Sequence, residues 1–328
     1  MPDPYPDTPL NRDRWILSRR VERQPLDPRR PVASFVEDER SDSGEVVPVA
    51  TVFLANRECR WRCVMCDLWK NTLTESVSTG AIPEQIDRAL AGLSQAPRQI
   101  KLYNSGSFFD PRAVPRDDHP AIAQRLGRFE RVIVECHPLL VREVVLRFRD
   151  RLAGRLEVAM GLETAHPEVL EKLNKGMALD DFARAAEFLS RHDVDLRVFI
   201  LVRPPFLPDE AEAQHWVERS VDFAFDCGAS VASLIPTRGG NGAMEGLTTL
   251  GHFTPPRLEN LEAAAEYGIG RRRGRVFADL WDLERFSQCA ACCDARRLRL
   301  RRMNLTQEVE PPVQCRACGT PARASLSG

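Results

Sequence analysis

The stretch VVPVATVFLANRECRWRCVMCDLW, residues 46–69, runs a strand straight into three thiols. Its first half is apolar, rich in valine and of strand length, which predicts a strand buried on both faces. Cys59, Cys63 and Cys66 follow at C-x3-C-x2-C spacing. A loop leaving the carboxyl end of a strand lies on the rim of a parallel sheet, where such folds hold their chemistry. The spacing lets the three sulfurs converge on one site. They would leave a tetrahedral zinc one ligand short, and no His or Cys follows nearby to complete it. Iron–sulfur clusters prefer thiolate, and a four-iron cluster on three cysteines keeps one iron open to an outside ligand. The competing reading is a structural zinc that borrows its fourth ligand from elsewhere in the chain.

Downstream, apolar runs of strand length alternate with helical patterns. AIPEQIDRALAGLSQ, with Pro83 in its first turn, precedes QIKLYN; PAIAQRLGRF precedes RVIVECHP; PLLVREVVLRFRDRLAG precedes RLEVAMGLET. PEVLEKLN and LDDFARAAEFLSRHD lead to VDLRVFILVRP, DEAEAQHWVERSVDFAFDCG leads to SVASLIPT, and RLENLEAAAEYG closes the series. Six near-continuous apolar strands with helices between them predict an α/β fold, a partial (β/α)6 TIM-type barrel with right-handed crossovers. It would span residues 49–268. Residues 1–48, rich in Pro, Arg, Asp and Ser, read as an irregular amino-terminal extension with one short helix around Trp15 to Arg23. Residues 269–328 read as a small Cys-rich metal-binding module.

The chain has 328 residues and a formal charge of -1, so no global field recruits nucleic acid and any basic surface has to be local. It shows neither an apolar run long enough for a membrane helix nor the apolar core of a signal peptide, and a cytoplasmic protein is expected. Its ten cysteines then read as thiols, and eight of them are clustered. Cys136 and Cys227 stand alone and are simplest as buried apolar thiols. In the tail, Cys289 and Cys292 form one C-x2-C pair and Cys315 and Cys318 another, about 20 residues on, a strong metal signature. Structural zinc is favoured there over a second Fe–S cluster, with Cys293 left over. Arg296, Arg297, Arg299, Arg301 and Arg302 lie between the pairs, alternating with leucine in ARRLRLRRMNLT. That alternation predicts a strand with one cationic face, so that Arg297, Arg299 and Arg301 would grip RNA phosphates. The bland alternative is a solvated face that balances nearby acids.

The strand ends add a pattern. YNSGSF supplies Asn104, Ser105 and Gly106, VECHP supplies Glu135, and MGLETAHPEVLEKLNKG supplies Glu163 and Lys175. With the cysteine loop, this order resembles the radical S-adenosylmethionine (SAM) superfamily. The resemblance implies a [4Fe-4S] cluster on Cys59, Cys63 and Cys66, with SAM chelated to the open iron and cleaved to a 5′-deoxyadenosyl radical. It implies further that Asn104, Ser105, Gly106 and Glu135 meet the methionine amino group, Glu163 the ribose and Lys175 the carboxylate. Met65 stands where an aromatic residue is common and would pack on adenine. From about Thr51 to Glu212 the chain resembles the radical-SAM subunits of archaeosine synthase, and more distantly the radical-SAM half of Elongator. This implies action on a modified base in tRNA, with C–N bond cleavage, and an electron donor such as flavodoxin or ferredoxin. Arg203, Asp110 and Arg238 are rim candidates for substrate contact. The alternatives are a radical SAM enzyme with a non-RNA substrate, or a zinc-dependent RNA-binding scaffold on an inactive barrel.

Overall fold

A computed structural model describes residues 3–319. The elements run α1 (Pro9–Leu17), β1 (Ala33–Arg40), β2 (Val46–Phe53), α2 (Ala81–Ala91), β3 (Gln99–Tyr103), α3 (His119–Leu126), β4 (Arg131–Glu135), α4 (Glu143–Arg149) and β5 (Arg155–Glu163). There follow α5 (Pro167–Lys172), α6 (Leu179–Arg191), β6 (Asp195–Val202), α7 (Glu210–Asp226), β7 (Val231–Pro236), α8 (Ala243–Thr249), α9 (Leu258–Gly270), β8 (Arg275–Ala278) and α10 (Ala290–Thr306). One sheet holds all the strands in chain order, β1 to β8. β2 to β8 are mutually parallel and β1 pairs antiparallel with β2. The six expected strands are β2 to β7, the partial TIM-type barrel. The amino-terminal extension adds an edge strand to them, and the tail adds a seventh parallel strand.

The outer face of the sheet is apolar because helices cover it. Ile100, Leu102, Val132, Val134, Val158 and Met160 are wholly buried there. α6 shows the helical counterpart: Phe182, Ala185, Ala186 and Leu189, at three- and four-residue steps, form its buried face.

The inner face corrects the expectation of strands apolar on both sides. Lys101, Arg131, Glu157 and Arg197 point inward with Glu39 of β1, and all are buried. Lys101 Nζ meets Glu39 at 2.5 Å and Glu37 at 2.9 Å, and Arg197 meets Glu39 at 2.5 Å and Glu157 at 2.6 Å. Buried charges persist only when paired, so this network fixes the edge strand to strands on the far side of the lumen. Burial opposes ionisation of Glu39, but Arg197 and Lys101 outweigh it and hold its carboxyl well below the usual range. Above the network lie half-buried rings, with Tyr103 at 6.0 Å from both Phe53 and Phe199.

The arginine-rich segment is helical, which corrects the predicted strand. In α10, Arg296, Arg299, Leu300 and Met303 fall on one buried face, and Arg and Leu both favour helix. α10 packs against β1 and β8, the two edges of the sheet. The Asn304 side chain bonds both the N–H and the C=O of Ala278 at 2.9 Å, and Gln307 does the same for Val276. These amides satisfy the free edge of β8. Among the described residues no helix is long and apolar enough to cross a membrane.

Candidate active site

Cys59, Cys63 and Cys66 are free, half-buried thiols on the rim beyond β2. Burial pushes all three upward, Cys66 to about 12 and Cys63 further. As bare thiols they stay protonated, so a cation must accompany their ionisation. The loop around them is braced from several elements. Val64 N–H donates to Leu173 O at 3.0 Å, and Asn174 Nδ2 to Arg62 O at 3.0 Å. From the loop after β7, Asn241 Nδ2 donates to Val64 O at 2.8 Å and Cys66 O at 3.1 Å. Trp61 stacks on His137 with ring centroids 3.5 Å apart.

His137 is a site residue that sequence reasoning missed. Leu139 N–H donates to its Nδ1 at 3.3 Å, so Nε2 carries the proton and donates to Lys175 O at 3.0 Å. Burial and the Lys175 charge lower its pKa to about 3, so it stays neutral. Gly176, at φ +69°, approaches the same ring, where a Cβ would stand 2.8 Å from Trp61 Cδ1. Only the fold reveals the stack of Trp61 on His137; the sequence holds no local signal of it.

Beside the loop, Asn104 N–H donates to Glu135 Oε2 at 2.8 Å, and the N–H groups of Ser105 and Gly106 also support that carboxylate. Burial nevertheless raises Glu135 to about 7. The amides of this turn are thus spent on Glu135, and its carbonyls are what it can offer a ligand. Gly106 allows close approach: a Cβ there would stand 3.3 Å from Cys59 Cβ, a tight contact. Lys175 Nζ donates to Glu163 Oε1 at 2.7 Å, and both groups are buried. Burial disfavours the charged lysine, but Glu163 outweighs it and raises its pKa. Glu163 has a left-handed backbone, φ +67°, at a register shift in β5. Gly161 leaves room for the pair, since a Cβ there would collide with Glu163 and stand 2.6 Å from Lys175 Nζ.

The rim candidates are mostly tied down. Asp110 pairs with Arg60 of the cysteine loop at 3.0 Å, and Arg238 with Asp279 at 2.8 Å. Arg203 is buried with its Nε unpartnered. Met65 packs on the apolar cluster that holds Trp15 and Leu247.

No protein-family model matches the chain. It is 25% identical over 319 residues to an uncharacterized protein of Methanocaldococcus jannaschii, covering 91% of this chain and 86% of that one. It is 27% identical over 260 residues to archaeosine synthase subunit beta of Methanosarcina acetivorans, covering 76% and 75%. Methylornithine synthase matches its fold with a TM-score of 0.53 at 15% identity, over 81% of this chain and 73% of that one. It thus resembles archaeosine synthase subunit beta in sequence and methylornithine synthase in fold.

The residues present fit the groups that a radical SAM protein binds. Gly106 and Gly161 keep a cradle open beside the thiols, and the wholly buried Asn104 side chain has no partner for Oδ1 or Nδ2. The tail differs in scale. Among the described residues, Cys289, Cys292, Cys315 and Cys318 are the one group packed closely enough for a single ion, all four sulfurs within 4.8 Å of one another. Cys289 and Cys315 lie 3.9 Å apart, as do Cys292 and Cys318. Zinc–sulfur bonds of about 2.3 Å give a tetrahedral edge of about 3.8 Å. The two pairs are joined by α10 and the segment after it, not by the expected strand. Cys293 is half-buried and outside the group. The last nine residues of the predicted module lie outside the described residues.

Arg299 is corrected as an RNA contact. It is 1% exposed, with Nη2 donating to Glu266 at 2.7 Å and Nε to Pro311 O at 2.9 Å. Arg297 and Arg301 are exposed, Arg297 pairing with Asp294 at 2.9 Å.

Proposed function

We propose that this chain is a cytoplasmic radical SAM enzyme that modifies a base in tRNA, as its relatives named archaeosine synthase subunit beta suggest. The observation that carries the reading is the meeting of three thiols, Glu135 and the Glu163–Lys175 pair at one rim of this barrel. Cys59, Cys63 and Cys66 would hold a [4Fe-4S] cluster. When bound, the cluster and SAM would supply a 5′-deoxyadenosyl radical, with an electron from a donor such as flavodoxin or ferredoxin.

The chain's own residues would do the positioning. Glu135, raised to about 7 by burial, gives up its proton readily beside an incoming ammonium and then pairs with it. The carbonyls of Asn104, Ser105 and Gly106 accept from the same group. Lys175, held protonated, offers its charge to a carboxylate, while Glu163 fixes its Nζ and is free on its second oxygen for ribose hydroxyls. Met65 borders the adenine end, and Arg203, with a donor to spare, reaches the substrate. Zinc in the four-cysteine site would pin the tail to the start of α10, leaving Arg297 and Arg301 to meet phosphates.

The Gly161→Ala variant tests the cradle. Its Cβ displaces Glu163 and Lys175 together, and SAM affinity measured by equilibrium binding should fall at least about tenfold, about 1.4 kcal/mol. Unchanged affinity would remove the pair from the cofactor site. The tRNA reading is tested by nucleoside mass spectrometry of tRNA from cells with and without the gene. One modified base should vanish, or its unprocessed precursor accumulate; an identical profile would point to a substrate other than RNA.

A further inference from the structure

Glu58, the residue before Cys59, gathers three guanidinium groups. Arg20 reaches one carboxylate oxygen at 2.7 Å and Arg62 the same oxygen at 3.1 Å, while Arg23 holds the other. The side chains of Glu58 and Arg20 are 11% and 9% exposed, so solvent screens little of this charge. Arg20 and Arg23 also lie over the Trp69 ring, 4.6 and 5.9 Å from its centroid. Trp69 is buried, three residues beyond Cys66. The segment that follows α1 therefore touches the cysteine loop at both ends, before the first thiol and after the last. Burial fixes it there too, since Trp15 and Ile16 of α1 share an apolar cluster with Val64. Three cations meet one carboxylate, a positive excess around Glu58, with Asp67 beside Cys66 and Asp110 near Cys59 as the opposing charges close to the thiols.

We propose that Arg20 and Arg23 raise the reduction potential of the cluster that Cys59, Cys63 and Cys66 would hold, by placing fixed positive charge against their loop. This rests on the radical SAM reading above. One-electron reduction adds negative charge, so a poorly screened cation nearby favours the reduced state. Net charge and solvent exposure are among the levers a protein has on such potentials. The arginines act on the potential through the field alone, and touch neither substrate nor the reacting atoms. The amino-terminal extension thus belongs to the redox centre, although it lies outside the barrel repeats.

The experiment compares the full chain, reconstituted without oxygen, with an Arg20→Gln/Arg23→Gln double variant and with Glu58→Gln. Iron and sulfide are counted first, and the midpoint is then read by electron paramagnetic resonance during titration with dithionite and redox mediators. The double variant should move to a more negative midpoint and Glu58→Gln to a more positive one. A merely structural role would admit water in both variants and move both the same way. Shifts of the same sign, or three equal midpoints on intact clusters, would overturn the proposal and leave the cluster reading standing. A parent protein that takes up no iron would remove both. Should the double variant lose its cluster, Arg23→Gln alone makes the same comparison, since that side chain is 23% exposed and less embedded.

Discussion

Replacing Cys63 with alanine is expected to abolish both the iron–sulfur cluster and the formation of 5′-deoxyadenosine, while the metal in the tail remains. The parent protein, purified without oxygen, should be brown, with about four irons in the loop site and one further metal ion in the tail. The variant should be colourless and keep only the tail metal by elemental analysis. The loss would be that of a ligand and not of the fold. The loop is held by backbone and side-chain bonds that bypass the Cys63 sulfur, from Val64 N–H to Leu173 O, from Asn174 to Arg62 O and from Asn241 to Cys66 O. Melting temperature should therefore stay close to that of the metal-free parent. Retained cleavage of SAM in this variant would refute the assignment of the loop to a cluster, whatever the colour of the protein. The four tail cysteines lie on and beyond α10, share no ligand with the loop, and provide the internal control.

What could be read in advance follows from the range of the interactions. The loop at residues 59–66 and the strands β2 to β7 were legible because spacing and hydrophobic runs are local. Glu163 and Lys175 were legible as residues of one site, and the structure adds that they pair with each other. β1, ASFVEDER, was hidden because its charges look solvent-directed until Lys101 and Arg197 face them across the lumen. Lys101, Arg131, Glu157 and Arg197 sit one to a strand in β3 to β6, and a lone charge in a strand reads as exposure when its partner is distant in sequence, as Glu157 and Arg197 are at 40 residues apart. β8 has only four residues beside a basic run, too few to carry a periodicity of its own. Trp61 on His137 is a contact between two loops, and spacing says nothing of it.

The arginines of α10 give the sharpest case, and they separate into two expected outcomes. Arg299→Ala should cost about 1.5–3 kcal/mol, the usual worth of hydrogen bonds to a charged group, seen as a lower urea midpoint. The change would take from the part-exposed Glu266 its donor at 2.7 Å and leave the carbonyls of Glu310 and Pro311 without the guanidinium under α10. Arg301→Ala should leave the urea midpoint unchanged, since that side chain is 59% exposed and its nearest acid, Asp38, lies 3.9 Å away. Exposed pairs of this kind contribute about 0–1 kcal/mol. Its effect should appear instead in tRNA binding followed by fluorescence anisotropy across a salt series, where losing one phosphate contact lowers the slope by about one. An Arg299→Ala protein as stable as the parent would show that the α9–α10 contact does not hold the tail in place. An unchanged salt slope for Arg301→Ala would take this face of α10 out of the RNA surface. The two residues stand two positions apart in a helix of 3.6 residues per turn, and so on different faces of it. One arginine is therefore spent inside the fold and the other is free to meet a phosphate, although the sequence writes them as members of a single run.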